Sequence, residues 1–365
     1  MKKYFYIDDE LDVIKSIADG INESQIVNVN VFDLSKYKEF DKLTDQLRSE
    51  WDNFDGLILD LKLNGGGVDN IKFSATSLAQ WISSYIVEEC KVAKPIVLLS
   101  NDLQCAKYKE DFTSHDLFDM VLERNIDINW EEFAKSLVDV ANGYDLLNQD
   151  RTKNLKEILQ CDLIDLSAVY FEPFMNSETF NVRQFASFVL NDLFFHPGLL
   201  ISEAMLASRF GVDMEKSGEN WKQFKNTYLE VARYRGVFCQ IEERYWSKKA
   251  QEVFIELSGG NSAASMTTTQ RVDALKARIK DEIVQSLVAY VPEDKDSSCY
   301  CWTIDDDSQK PLDASEGYMI KEEGGLRSWQ EPRFLSFDTL ESGKISDNVL
   351  TSSEKNRYQD DLAAI

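Results

Sequence analysis

The stretch KKYFYIDDEL, residues 2–11, decides how the rest of the chain is read. A short apolar run from Tyr4 to Ile7 stops against three acids, Asp8, Asp9 and Glu10. One acid at such a place is an ordinary helix-start signal, but three in a row repel one another unless a cation or a cap takes up the charge. Beyond them Leu11, Ile14, Ile17, Ala18 and Ile21 fall on one helical face. The first unit of the fold is thus a strand running into a helix, with carboxylates at the junction.

Working outward, the same unit recurs. SQIVNVNVFD, residues 24–33, alternates with period two through Ile26, Val27, Val29 and Val31, and residues 37–54 are helix-like around Phe40, Leu43, Leu47 and Trp51. DGLILDLKL, residues 55–63, is an apolar strand that ends at Asp60, followed by the glycine-rich NGGG at 64–67 and a helical stretch through Trp81 and Ile86. KPIVLLSND, residues 94–102, is another apolar strand, ending at Ser100. A helical piece over 102–114, the strand LFDMVLE at 117–123 and an amphipathic helix from Ile128 to Leu147 complete the series. Five strands alternating with five helices predict an α/β doubly wound parallel sheet, whose ligands lie at the carboxyl ends of the strands. Asp8, Asp9, Asp60, Ser100 and Glu123 all follow or end apolar strands, so all five could line one crevice.

In the acidic pair of YIDDE, the strand-end aspartate of GLILDLKL and the strand-end hydroxyl of PIVLLSN, the chain resembles the receiver domain of two-component response regulators, over roughly residues 1–145. The resemblance implies a five-stranded, flavodoxin-like receiver domain over residues 1–148. It also implies that Asp8 and Asp9 are metal-binding acids, that Asp60 is the phosphoacceptor and that the backbone carbonyl of Lys62 is a further metal ligand. Ser100 would follow a phosphoryl oxygen. The implied cofactor is Mg2+, a hard cation suited to one or two carboxylates plus a phosphoryl oxygen, and it would separate two anions that a low-dielectric site could not otherwise tolerate. The implied donor is a histidine kinase, and the chemistry is self-modification rather than turnover of a substrate. The plainer reading of Asp8, Asp9 and Ser100 is that they cap the helices or loops that follow.

Three departures from the family pattern stand out. Counting along FDMVLERN puts Glu123 where receivers carry a phosphoryl-pairing lysine, with Arg124, Lys62 and Lys94 as alternative sources of charge, Arg124 being one step off along an extended strand. The aromatic switch position of the same strand reads Met120, and Asn64 with Gly65, Gly66 and Gly67 makes a pliable loop where proline is common.

The formal charge of −24 is shared by both halves of the chain, which disfavours DNA, RNA and anionic membrane surfaces as partners. A hydrophobic fraction of 43% is ample for packed cores, yet the apolar residues never run to the length of a membrane span. The six cysteines read as free thiols, and the expected location is the cytoplasm. Residues 149–365 read as a mostly helical α+β domain with short strands near the end, for output or interaction with a protein partner. ISEAMLASRFGVDMEKSGENWKQFKNTYLEV has a helix-turn-helix flavour around Gly211 and Trp221, but it lacks an array of arginines. Cys299 and Cys301 lack a second pair for a metal site, Asp305, Asp306 and Asp307 read as a solvated turn, and His196 reads as a turn or core histidine. The functional expectation is a response-regulator-like protein acting through protein contacts or as a phosphoryl sink. The alternatives are a phosphorylation-independent pseudo-receiver scaffold and a DNA-binding regulator.

Overall fold

The structure, a computed structural model, describes residues 1–63, 71, 73–101, 117–124, 128–149, 155–161, 174, 180–293, 298–322 and 325–364. The expected helix over 102–114 and the loop at Asn64 to Gly67 lie outside the described residues. The chain forms two compact units, Met1–Asp192 with Arg235–Glu242, and Leu193–Tyr234 with Glu243–Ile365.

In the first unit the opening stretch forms β1 (Lys2–Asp8) and α1 (Leu11–Glu23), and α1 buries Ile14, Ile17, Ala18 and Ile21 on the face that their spacing predicts. There follow β2 (Val27–Asp33), α2 (Phe40–Ser49), β3 (Gly56–Leu59), α3 (Ala75–Glu88), β4 (Ile96–Ser100), β5 (Met120–Glu123) and α4 (Trp130–Gln149). The strands pair in parallel in the order β2-β1-β3-β4-β5, the doubly wound flavodoxin-like order. β3 and β4 are buried along their whole length, as their unbroken apolar sequences require, while β5 at the edge is half-buried. On one sheet face Tyr4, Tyr6, Val29, Ile58, Val97 and Leu99 pack with residues of α1 and α4. Gly56 makes room for that face: a Cβ there would stand 2.3 Å from the Tyr4 ring.

The first unit continues well past residue 148, the expected end of the receiver. Its continuation includes α5 (Leu155–Leu159) and α6 (Val182–Ser187), and α6 supplies a buried charge to the start of β5. Asp119, 1% exposed, accepts hydrogen bonds from the Ile96 N–H at 2.7 Å and the Tyr144 hydroxyl at 2.6 Å, and lies 3.5 Å from Arg183 of α6. Arg183 also donates to the carbonyls of Lys94 at 3.2 Å and Leu117 at 2.9 Å. Burial pushes the Asp119 carboxyl up, and Arg183 and Tyr144 pull it back down.

In the second unit β6 (Leu200–Ser202) pairs antiparallel with β7 (Arg244–Trp246). Around them lie α7 (Glu203–Phe210), α8 (Met214–Ser217), α9 (Glu219–Tyr228), α10 (Ser247–Ser258), α11 (Thr268–Arg278) and α12 (Glu282–Gln285). Phe210, Trp221, Phe224, Tyr245, Phe254 and Leu275 are central to one core. Gly211 ends α7 at φ +74°, in a left-handed cap where a Cβ would lie 2.4 Å from the Thr268 carbonyl oxygen. Two short antiparallel pairs follow, β8 (Thr303–Ile304) with β9 (Pro311–Leu312) and β10 (Tyr318–Met319) with β11 (Phe334–Leu335), then α13 (Phe337–Glu341) and α14 (Ser352–Ala363). The second unit is therefore mostly helical with short late strands.

Arg183→Met leaves Asp119 buried without its cation, and the expected cost is about 3 kcal/mol or more in the unfolding of the first unit. Urea denaturation of the full chain, followed by the tryptophans, measures it. A change below about 0.5 kcal/mol would show that Arg183 is not needed for that network.

Candidate metal and phosphoryl crevice

The crevice is built by the parallel register of three strands. Ile7 of β1 lies opposite Leu59 of β3, and the Asp60 N–H continues the ladder by donating to the Ile7 carbonyl at 3.1 Å. Asp60 therefore emerges beside Asp8, the last residue of β1. All three aspartates are buried, Asp8 at 2%, Asp9 at 3% and Asp60 at 5% exposure. One carboxylate oxygen from each lies within 4.8 Å of the others.

Both oxygens of Asp60 are held. The Ser100 hydroxyl donates to Oδ1 at 2.7 Å, and the Lys62 N–H folds back to donate to Oδ2 at 2.8 Å. Asp8 accepts from the Glu10 N–H at 2.9 Å on Oδ1 and from Arg124 Nη1 at 3.2 Å on Oδ2. The Asp8 interaction with Glu10 is the turn-type contact that the capping reading anticipates, yet it satisfies one oxygen only. The crevice thus gathers Asp8, Asp9, Asp60, Ser100 and the Lys62 backbone in one place.

The cation differs from the sequence expectation in an instructive way. Met120 and Leu122 pack on the face of the sheet that carries Tyr4 and Tyr6, and two residues further along that face comes Arg124, not Glu123. The Arg124 N–H continues the β4–β5 ladder by donating to the Ser100 carbonyl at 2.6 Å, so its side chain turns toward Asp8, with Glu10 3.8 Å away. Lys94 supplies no charge to the crevice. It stands before β4, at the opposite end from Ser100, where its amine donates to the Phe54 carbonyl and lies 4.5 Å from the Phe54 ring centroid. Burial there lowers the Lys94 pKa to about 8.

Electrostatically the described residues of the crevice carry more acid than base. Among the described residues three carboxylates face the Arg124 guanidinium, and Asp8 is pushed up to about 7, by burial first and then by the neighbouring charge of Asp60, with the Glu10 N–H and Arg124 opposing. Tyr6 lies beneath this group. Burial, followed by the Asp8 charge, drives the pKa of its hydroxyl far up, with Arg124 opposing. Three buried carboxylates with oxygens this close together could hold a small hard divalent cation such as Mg2+. Among the described residues this is the one cluster of three or more metal-capable side chains.

The second unit answers the remaining motifs. Cys299 and Cys301 are buried, and the Cys299 thiol contacts the Thr268 hydroxyl at 3.3 Å. All five described cysteines are free thiols. Asp305 is no solvated residue: at 1% exposure it organises its turn by accepting from the N–H groups of Asp307 at 3.0 Å, Ser308 at 2.6 Å and Ser336 at 2.5 Å. His196 is a turn histidine, with Nδ1 3.0 Å from the Pro197 carbonyl and Nε2 3.4 Å from Glu322. In the helix-turn-helix-like segment, Trp221 is in the core and Lys225 is buried against Glu203 at 2.8 Å and Glu243 at 2.5 Å. Among the described residues, no helix is long and apolar enough to cross a membrane.

No family model matches the chain, and no curated protein matches it. Among solved structures it is similar to RcsB from Salmonella enterica serovar Typhimurium, bound to promoter rprA in the presence of the phosphomimetic BeF3−. The identity is 13%, the likeness spans 51% of this chain and 99% of RcsB, and the TM-score is 0.23. The strand order and the parallel register fit a receiver fold independently of that likeness.

The raised pKa of Asp8 makes the metal-free protein pH-sensitive. Its folded carboxyl keeps a proton up to about pH 7, whereas the unfolded chain releases it near 3.8, so the folded state binds the extra proton between these limits and loses stability as pH rises through them. Thermal melts in EDTA between about pH 5 and 8 should show a decline that Asp8→Asn flattens. Equal pH dependence in the two proteins would exclude Asp8 as the source.

Proposed function

We propose that the first unit is a receiver that takes a phosphoryl group onto Asp60 from a phosphohistidine of a histidine kinase, in the presence of Mg2+. The observation that carries this reading is the position of Asp60: buried, oriented on one oxygen by Ser100 and on the other by the Lys62 N–H, within 4.8 Å of Asp8 and Asp9. A carboxylate fixed at both oxygens is presented in one orientation, which lowers the entropy lost on reaching an in-line attack.

In the transfer, an Asp60 oxygen forms a bond to phosphorus as the phosphorus–nitrogen bond of the donor breaks. The electron pair stays on the imidazole nitrogen, which takes a proton from solvent, and Asp60 becomes an acyl phosphate. Asp8, Asp9, Asp60 and the Lys62 carbonyl would hold the Mg2+, which supplies positive charge to the phosphoryl oxygens. The Ser100 hydroxyl, now donating to Asp60 Oδ1, passes to a phosphoryl oxygen once Asp60 is modified. On this reading the chain acts in the cytoplasm and catalyses only its own modification. Output runs through a protein partner of the second unit, or the chain draws phosphoryl groups from a kinase as a sink. Nucleic acid is disfavoured as a partner by the −24 charge and by Lys225, which is already engaged by two carboxylates.

Incubation with acetyl phosphate and Mg2+ followed by phosphate-affinity electrophoresis tests the proposal. The expected result is a retarded band that EDTA and Asp60→Asn both abolish. A wild-type protein that never shifts would instead assign the fold to phosphorylation-independent scaffolding.

A further inference from the structure

The three successive acids of the second unit do different things. Asp305 turns inward and ties its turn together, Asp307 accepts from the Lys344 amine at 2.8 Å, and Asp306 between them lines a cavity of about 70 Å3 within this unit. The Asp306 backbone is fixed, its N–H donating to the Phe334 carbonyl at 2.8 Å. Gln309, in the same turn and also on the cavity wall, sits at φ +58°, a left-handed conformation that a residue with a side chain keeps only where the surrounding structure enforces it.

The cavity presents both signs of charge. Arg244, 8% exposed, donates its Nε–H to the Phe194 carbonyl at 2.7 Å, and its guanidinium lies 5.0 Å from the Phe194 ring centroid. Arg333 is fixed by Glu322 at 2.8 Å and 3.3 Å, and it reaches Asp306 only at 3.4 Å. That is longer than a closed charge-assisted hydrogen bond, about 2.7–2.9 Å, and the Asp306 side chain is 36% exposed. The apolar wall includes buried Met205 and Ile304 and, where it meets solvent, Phe195 at 38% exposure. A bare anion would meet Asp306 and a bare cation would meet two guanidinium groups, whereas a molecule carrying both charges on neighbouring atoms satisfies each. The cavity is roughly half the size of one that encloses benzene, so it takes a head group of a few atoms, with anything larger extending past Phe195.

We propose that this cavity is a binding site for a small α-amino acid, with its carboxylate on Arg244, its ammonium on Asp306 and its short apolar side chain against Met205, Ile304 and Phe195. Arg333, neutralised by Glu322, positions Asp306 rather than competing for the carboxylate. The second unit then carries a small-molecule input of its own. It needs no chemistry at Asp60, so it stands or falls apart from the receiver reading.

Calorimetry of the full chain against L-alanine, propionate and ethylamine tests the site, because the last two are the first without its ammonium and without its carboxylate. L-alanine should bind roughly tenfold more tightly than either. Asp306→Asn should weaken L-alanine by roughly tenfold and strengthen propionate, a pair of opposite changes that a folding defect does not produce. Asp60→Asn should bind L-alanine as the wild type does. Propionate or ethylamine matching L-alanine in the wild type would overturn the assignment, as would no heat from millimolar L-alanine or an Asp306→Asn protein with both affinities unchanged. Should Asp306→Asn fail to fold, the wild-type comparison of the three compounds decides by itself.

Discussion

The structure of the first unit depends on one constraint: parallel strands in register carry their last residues to the same rim. Ile7 opposite Leu59 and Leu59 opposite Leu98 fix the ends of β1, β3 and β4 together, so whatever side chains follow those apolar runs must meet. Here they are Asp8, Asp9, Asp60 and Ser100. Bringing like charges together out of water is unfavourable, and the Ser100 hydroxyl and Arg124 relieve it only in part. The apolar ladder beneath, with Tyr4, Tyr6, Ile58, Val97 and Leu99 buried on one face, supplies the stability that lets the rim stay frustrated. An unfavourable cluster held in place by a favourable sheet is poised to gain from a cation.

That logic explains what could be read from the sequence. Apolar runs with abrupt acidic or hydroxylic ends are visible residue by residue, and the alternation of strand and helix turns their order into geometry. Asp8, Asp9, Asp60 and Ser100 were therefore legible as one site before any coordinates. Arg124 was legible only as one of three alternatives, because a short edge strand does not announce its phase. Glu123 and Arg124 differ by one step, and one step changes the face. The deciding clue was present in Met120 and Leu122, apolar residues of the inward face whose next member is Arg124. The end of the unit was illegible for a different reason: Arg183 pairs with Asp119 across a long stretch of chain, and no local pattern records a contact of that kind.

In the second unit buried cations also organise the interior, with no sheet rim to assemble them. Arg271, fully buried, donates to the carbonyls of Ala263 at 2.8 Å and Ser208 at 3.0 Å and lies 5.2 Å from the centroid of the Trp302 ring. Burial lowers its pKa to about 10. Arg209 lies 5.1 Å from the same ring centroid and reaches Glu331 at 2.5 Å. Such residues read as surface charges in a sequence, since nothing local marks a guanidinium that replaces water with carbonyls and an aromatic face. Apolar periodicity finds the helices there and misses what joins them.

β5 carries charge at both ends, and the two ends are not equivalent. Before it, Asp119 is held by the Ile96 N–H, Tyr144 and Arg183, with side chains 1% and 8% exposed in the aspartate–arginine pair, so several partners must be lost together for that end to move. After it, the Arg124 N–H is tied to the Ser100 carbonyl at 2.6 Å, and its side chain, 17% exposed, meets Asp8 at 3.2 Å. A charge entering the crevice therefore acts on the more exposed of the two ion pairs that flank β5.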